Sequence, residues 1–176
     1  MNIEILTVGS LQTNCYILYI KDECLIIDPG ADENTIINTI EELKLKPIGI
    51  LLTHDHYDHD TYAKSLSELY RVEIYDYKNL FEKEHHIGPF NFKVIYTKGH
   101  SESSITFYFE NYKIMFVGDF IFKNSIGRVD LPTGNYQEMI ESIEKIKKYD
   151  DDITLYPGHG EATTLGHEKK HNPYLK

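Results

Sequence analysis

Residues 50–59 read Ile50-Leu51-Leu52-Thr53-His54-Asp55-His56-Tyr57-Asp58-His59: an apolar strand that delivers three imidazoles and the Asp58 carboxylate within six residues. That is more ligand capacity than one tetrahedral centre uses, so the economical reading is two metal ions. In an extended loop residues i and i+2 point the same way, which lets His54 and His56 share one ion. Asp58 and His59, where the loop turns into a helix, then face a second. Neither ion is complete from this loop, because four or more ligands are usual.

Three further stretches repeat the device. Phe92–His100, Tyr112–Asp119 and Asp152–His159 each run as an apolar strand and then present His100, Asp119 and His159. The expected ligand set is therefore His54, His56, Asp58, His59, His100, Asp119 and His159, held at the ends of four strands. Asp119 takes the bridging position, since a carboxylate has two oxygens to share whereas each histidine offers one free nitrogen. Two divalent ions bring four positive charges, against three negative ones from Asp58, Asp119 and a bridging hydroxide, so the site stays electrophilic. The set contains no thiolate. Imidazole and carboxylate donors of this kind suit a catalytic centre with open positions rather than a closed structural site, and they accept zinc, iron or manganese.

The rest of the chain is consistent with one globular domain over residues 1–176, with 41% hydrophobic residues to build a core. Strands are expected at 3–8, 15–20, 24–28, 48–53, 72–76, 90–97, 104–109, 112–118 and 152–156. Helices are expected at 33–44, with Ile36, Ile37, Ile40 and Leu43 on one stripe, and at 58–70, with Tyr62, Ala63, Leu66 and Leu69. A third follows the capping pair Asn135 and Glu138, carrying Tyr136, Met139, Ile140, Ile143 and Ile146 at helical spacing. Strands and helices interleaved in this way predict α/β layers with helices outside a sheet core.

Charge and cysteine usage narrow the partners. With 28 acidic against 18 basic residues the formal charge is −10, which disfavours a nucleic-acid backbone as substrate. No segment approaches the ~20 apolar residues of a membrane span, and the N-terminus has no signal-peptide pattern, so the expectation is a soluble cytoplasmic protein. Cys15 and Cys24 fall on a predicted hairpin turning near Lys21-Asp22, with Cys24 opposite Tyr19 or Ile20. That separates the thiols by roughly 14–17 Å at strand rise, beyond the ~7 Å Cα limit of a disulfide. Both are expected to be reduced core thiols.

Five motifs in order carry a resemblance: Asp28-Pro29-Gly30, the Thr53–His59 loop, Gly99-His100-Ser101, Gly118-Asp119 and Pro157-Gly158-His159-Gly160. They resemble the metallo-β-lactamase-fold hydrolases and span nearly the whole chain. The run Gly118–Phe122 with Ser125–Pro132, and the closing Thr163–Glu168 and Asn172-Pro173-Tyr174, are similar to small single-domain relatives of glyoxalase II. The resemblance implies an αββα sandwich, with two mixed sheets, helices on the outside and the ligand-bearing strand ends at one edge. It also implies that Asp28 buttresses a ligand histidine and that the cofactor is a pair of divalent ions, zinc first and iron or manganese next. Only a short tail follows His159, so the helical second domain of glyoxalase II is not expected.

The chemistry implied is attack on a carbonyl. Water between two divalent ions has its pKa lowered from about 15.7 towards 7, and Asp58 orients the resulting nucleophile. A thiolate leaves without a general acid, its pKa being ~8.5, so a thioester or lactone suits the site better than an amide, and the resemblance implies a hydroxyacyl thioester of the S-lactoylglutathione type. Arg128 is positioned by the resemblance to pair with a substrate carboxylate, with Tyr57, Lys123 and Asn124 lining the pocket. Lys98 and Thr61-Tyr62 depart from the proline and glycines common in such relatives, which points to a different pocket mouth. Two alternatives stand beside this reading. One is a lactonase or other small-ester hydrolase; the other is a persulfide dioxygenase, which would use the equivalents of His54, His100 and Asp119 on one iron.

Overall fold

Apolar residues alternate between two interiors along most strands, and that alternation sets the layers. The computed structural model describes residues 1–176. The first sheet joins β1 (Asn2–Val8), β2 (Thr13–Ile20), β3 (Glu23–Ile27), β4 (Lys46–Leu51) and β5 (Ile74–Tyr75) in sequential order. Its first two pairings are antiparallel and its last two parallel. The second sheet uses β6 (Glu84–Ile87), β7 (Phe90–Tyr96), β8 (Ile105–Phe109) and β9 (Ile114–Gly118). A two-stranded hairpin, β10 (Ile121–Phe122) with β11 (Ser125–Ile126), leaves it before β12 (Thr154–Pro157) and β13 (Thr163–Thr164) complete the order β13-β12-β9-β8-β7-β6. Here only β12 and β9 run parallel. Both sheets are mixed, as expected.

Tyr16, Leu18, Leu25 and Ile27 from one sheet meet Phe92, Phe107, Phe109 and Phe116 from the other in a shared core. The intervening residues face outwards into helices: Cys15, Ile17, Cys24 and Ile26 pack under α1 (Glu33–Glu42). Two more helices follow in that half of the chain, α2 (Tyr57–Asp60) and α3 (Ala63–Tyr70), and Ala63 and Leu66 of α3 join the same layer. Met115, Val117 and Leu155 pack under α4 (Tyr136–Ile146) and α5 (Leu165–His171). The result is the αββα sandwich. Period-2 alternation is what lets one strand serve two cores, and each fully buried Leu, Ile or Phe contributes about 1.5–3 kcal/mol of transfer free energy.

The elements differ from the sequence expectation in informative places. The helix expected over 58–70 breaks at Tyr62 (φ −101°, ψ 4°) into α2 and α3. The Tyr62 amide donates to the Pro29 carbonyl (3.0 Å) instead of continuing the helical ladder. Gly30 presses so closely that a Cβ there would lie 1.4 Å from the Asp58 carbonyl oxygen. The Asp28–Gly30 turn therefore sets where the metal loop becomes helical. The strand expected at 72–76 shortens to β5, and the structure adds β6, β10, β11, β13 and α5 to the expected set. At α4 the Asn135 side chain accepts from the amides of Gln137 (2.9 Å) and Glu138 (3.2 Å), an N-cap that starts the helix where the sequence places it.

The hairpin turn at Lys21 has φ +55°, and Cys24 lies opposite Tyr19. Both cysteines are free and buried. No helix is long and apolar enough to cross a membrane.

Candidate metal centre

Four strand ends converge. His54 follows β4, His100 follows β7, Asp119 follows β9 and His159 follows β12, while His56, Asp58 and His59 come from the loop into α2. Ligand-type atoms of His54, His56 and His100 lie within 4.8 Å of one another, and so do those of Asp58, His59 and His159. Asp119 stands between the groups. Its Oδ1 is 3.4 Å from His59 Nε2, and its Oδ2 is 3.6 Å from His100 Nε2 and 3.4 Å from His159 Nε2. All seven residues singled out in the sequence thus occupy one cluster. None of them lines the cavity of about 490 Å³ between Glu84, His86, Lys93 and Glu110, so donor geometry rather than a cavity marks this site.

Backbone and side-chain acceptors decide which nitrogen each ring presents. His59 Nδ1 lies 2.9 Å from Asp28 Oδ2, His100 Nδ1 is 2.8 Å from the Arg128 carbonyl, and His159 Nδ1 is 3.1 Å from the Leu11 carbonyl. Thr53 gives its single hydroxyl proton to Asp28 Oδ2 (2.6 Å), so in its 3.0 Å contact with His54 it accepts from Nδ1. These four rings keep Nε2 for the centre. His56 instead turns Nδ1 inward, 2.9 Å from His100 Nε2. A histidine whose outer nitrogen is committed in this way is fixed in tautomer and orientation for a metal.

Asp28 also belongs to a third close group with His54 and His59. Its carboxylate, however, already accepts from the Thr53 amide (2.8 Å), the Thr53 hydroxyl and His59. It has the surroundings of an orienting residue rather than a ligand.

Burial and the contacts between carboxylates and imidazoles set the charge states in the cluster. Burial works against charge on His59, but Asp28 and Asp119 prevail and hold it up to about 10. Hydrogen bonds to Asp119 and Asp58 raise His159 likewise to about 10. Burial, then the charge on His59, pushes His54 well below the usual histidine value, and burial lowers His100. Burial alone would raise Asp58 and Asp119; contact with His159 and His59 overcomes it and depresses both.

The donors fit a divalent cation. His54 Nε2, His59 Nε2 and Asp119 Oδ1 are buried with no hydrogen-bond partner. Each such orphan costs about 1–3 kcal/mol unless something satisfies it. Three of them aimed into one cluster of imidazole and carboxylate donors is the arrangement a hard or borderline cation completes.

Three of the four residues expected to line the pocket are already engaged. Arg128 places Nε 2.7 Å and Nη2 2.8 Å from the two Asp130 oxygens at the surface, and what it gives the centre is its carbonyl. Lys123 pairs with Glu161 (2.8 Å), and the Asn124 side chain contacts His167 Nε2 (2.9 Å). Tyr57 is 69% exposed at the start of α2, free to meet a ligand.

Several contributors escape a reading based on ligand types. Thr13 donates to Asp58 Oδ2 (2.9 Å) and forms a bridge with His159. Asn14 and Tyr16 hold the Pro157 carbonyl, and Asn14 also holds that of Gly160 (2.8 Å). Glu168, fully buried, accepts from Thr163 (2.6 Å), the Asn124 amide (2.8 Å) and Asn172 (2.8 Å), tying α5 to the β10–β11 turn. The signal available for Thr13 and Asn14 was two polar residues at the head of an apolar strand.

Metal-binding histidines at the strand ends of an αββα sandwich define a class of hydrolase, and comparison with known proteins agrees. The profile of the metallo-beta-lactamase superfamily matches residues 8–82 and 61–159, and the chain belongs to that superfamily of metal-dependent hydrolases. Among curated relatives it is 35% identical over 208 aligned residues to the hydroxyacylglutathione hydrolase GloC of Haemophilus influenzae, covering 99% of this chain and 98% of that one. Among solved structures it superposes on the BLEG-1 B3 metallo-beta-lactamase with a TM-score of 0.96 at 31% identity, over 99% of this chain and 100% of that one. A di-iron-bound form of TTHA1623 gives 0.92 at 28% identity, over 98% and 100%.

Proposed function

We propose that this protein hydrolyses a small hydroxyacyl thioester, with S-lactoylglutathione as the probe substrate, using two divalent ions. His54, His56 and His100 would hold one, Asp58, His59 and His159 the other, and Asp119 both. The observation that carries this reading is Asp119, whose carboxylate touches histidines of both groups. The likeness to GloC supports the substrate class. Zinc is our first assignment, and the di-iron form of TTHA1623 makes iron the alternative.

When bound, such ions lower the pKa of water and polarise a carbonyl oxygen. The chain's own contribution is orientation. Asp58 Oδ2 faces His59 (3.5 Å) and His159 (3.3 Å), while no protein donor reaches its Oδ1, which is left to accept a hydrogen bond from the water and so aim it. Asp28, Thr53, Leu11 and Arg128 hold the rings through their outer nitrogens. A thiolate departs unaided, since its pKa of ~8.5 makes it a stable anion. Of the residues expected to meet the thiol carrier, exposed Tyr57 could do so directly, whereas Lys123, Asn124 and Arg128 would first have to exchange Glu161, His167 and Asp130 for it. The net charge of −10 favours a small substrate over a nucleic acid, and two buried free thiols fit a reducing, cytoplasmic setting.

Purified protein should turn over S-lactoylglutathione, lose activity to a chelator, regain it with Zn²⁺, and lose it in Asp58→Ala. A metal-loaded wild type inactive on the thioester overturns the substrate assignment. The likeness to BLEG-1 favours a second reading, opening of a β-lactam. A chromogenic β-lactam run in parallel separates the two.

A further inference from the structure

A buried hydroxyl has to be hydrogen-bonded, and Thr13, 1% exposed at the head of β2, has one side-chain partner: Asp58 Oδ2, at 2.9 Å. Its backbone reaches the other arm of the centre. Thr13 bridges His159, next to the bond from the Asn14 amide to the Gly158 carbonyl (2.7 Å). Gly9 (φ +67°) and Gln12 (φ +56°) make the turn that delivers the strand to this point. One residue of β2 thus meets both Asp58 and the segment of His159, although 45 residues separate it from the first.

The carboxylate it touches is split by that contact. Oδ2 takes the Thr13 hydroxyl and faces both His59 Nε2 and His159 Nε2. A carboxylate oxygen has lone pairs for two partners, so Oδ2 can keep the Thr13 hydrogen bond and still serve a cation. Oδ1 makes no bond to the protein.

We propose that Thr13 is a positioning residue: its hydroxyl fixes the rotation of the Asp58 carboxylate, assigning Oδ2 to the ion shared with His59 and His159 and reserving Oδ1 for the reacting water. This rests on the reading of Asp58 given above. Valine has nearly the shape of threonine without the hydroxyl. Thr13→Val therefore leaves the packing at the head of β2 in place and frees the carboxylate to rotate. Thr13→Ser keeps the hydroxyl and loses only a methyl group.

The test is a competition titration of the metal-free protein with Zn²⁺ against a chelating dye, for wild type, T13V and T13S, followed by kcat and KM for S-lactoylglutathione. Loss of a partner behind a metal ligand typically costs about 10–100-fold in affinity or activity. T13V should keep one dissociation constant and raise the other by that factor. Its kcat should fall about tenfold with KM little changed, and T13S should restore both. A T13V protein that binds both ions as the wild type does overturns the proposal, as does a T13S protein as impaired as T13V. Should T13V not fold, Thr13→Ala carries the same readouts. A wild type that takes up a single ion removes the dinuclear reading and this proposal together. A wild type that binds two ions without cleaving the thioester removes only the substrate assignment, and the titration still decides the role of Thr13.

Discussion

Asp28 Oδ2 and His59 Nδ1 lie 2.9 Å apart with neither side chain reaching solvent, 1% and 0% exposed. Asp28 sits at φ +52° in the turn before Pro29-Gly30, a backbone conformation that few side chains other than Asn and Asp adopt readily. The strain is accepted because the carboxylate collects three donors and aims His59 at the centre. Asp28→Asn keeps the shape and removes the charge, and an amide nitrogen then meets one of those donors. Metal affinity should fall about 10–100-fold and stability by about 1–3 kcal/mol. Competition titration and thermal melts read the two effects; unchanged metal affinity would remove Asp28 from this role.

Metal removal should destabilise the fold, because it returns His54 Nε2 and Asp119 Oδ1 to burial without partners. An ion present at a thousand times its dissociation constant stabilises by about 4 kcal/mol. Calorimetry with and without a chelator should show a lower Tm for the stripped protein. Identical transitions would mean that the cluster does not hold a metal.

Arg128→Ala separates the two roles available to that residue. Its guanidinium is committed to Asp130 at the surface, while the bond to His100 comes from its carbonyl, which the substitution retains. Tm and metal content should therefore match the wild type, and KM for S-lactoylglutathione should rise if the guanidinium exchanges Asp130 for a substrate carboxylate. An unchanged KM leaves Arg128 as a surface ion pair.

Burial pushes the Cys24 thiol up to about 12 and Cys15 higher still, the latter helped by Asp28. Neither should react with iodoacetamide at pH 8 in the native protein, and both should do so in denaturant. A thiol whose pKa is raised by folding contributes stability fully present below its unfolded value, ~8.5. That contribution is lost as pH rises through the alkaline range towards about 12. Denaturant midpoints measured from pH 8 upward should fall; a flat profile would contradict the burial of these thiols.

The parts of this molecule legible in its sequence are those written in local patterns. Apolar runs ending in His or Asp located all seven residues of the cluster, and Asn135 marked the start of α4. The layering of two mixed sheets came from family resemblance, since period alone does not pair strands. What stayed hidden depends on distant contacts. The break at Tyr62 is made by the Pro29 carbonyl, 33 residues upstream. Strand β6, Glu-His-His-Ile, has little apolar alternation and exists through pairing with β7, Glu84 opposite Lys93. Thr13 and Glu168 carry no ligand pattern of their own; their importance lies in what they touch across the fold.

The proposed centre is a pair of ions with Asp119 between them. Anomalous diffraction from crystals of the metal-loaded protein tests it most directly. Two peaks are expected roughly 3.5–4 Å apart, one among His54, His56 and His100 and the other among Asp58, His59 and His159, with an Asp119 oxygen on each. A single peak at the first group, with His59 and His159 bonded only to carboxylates, would contradict it and favour one-iron chemistry.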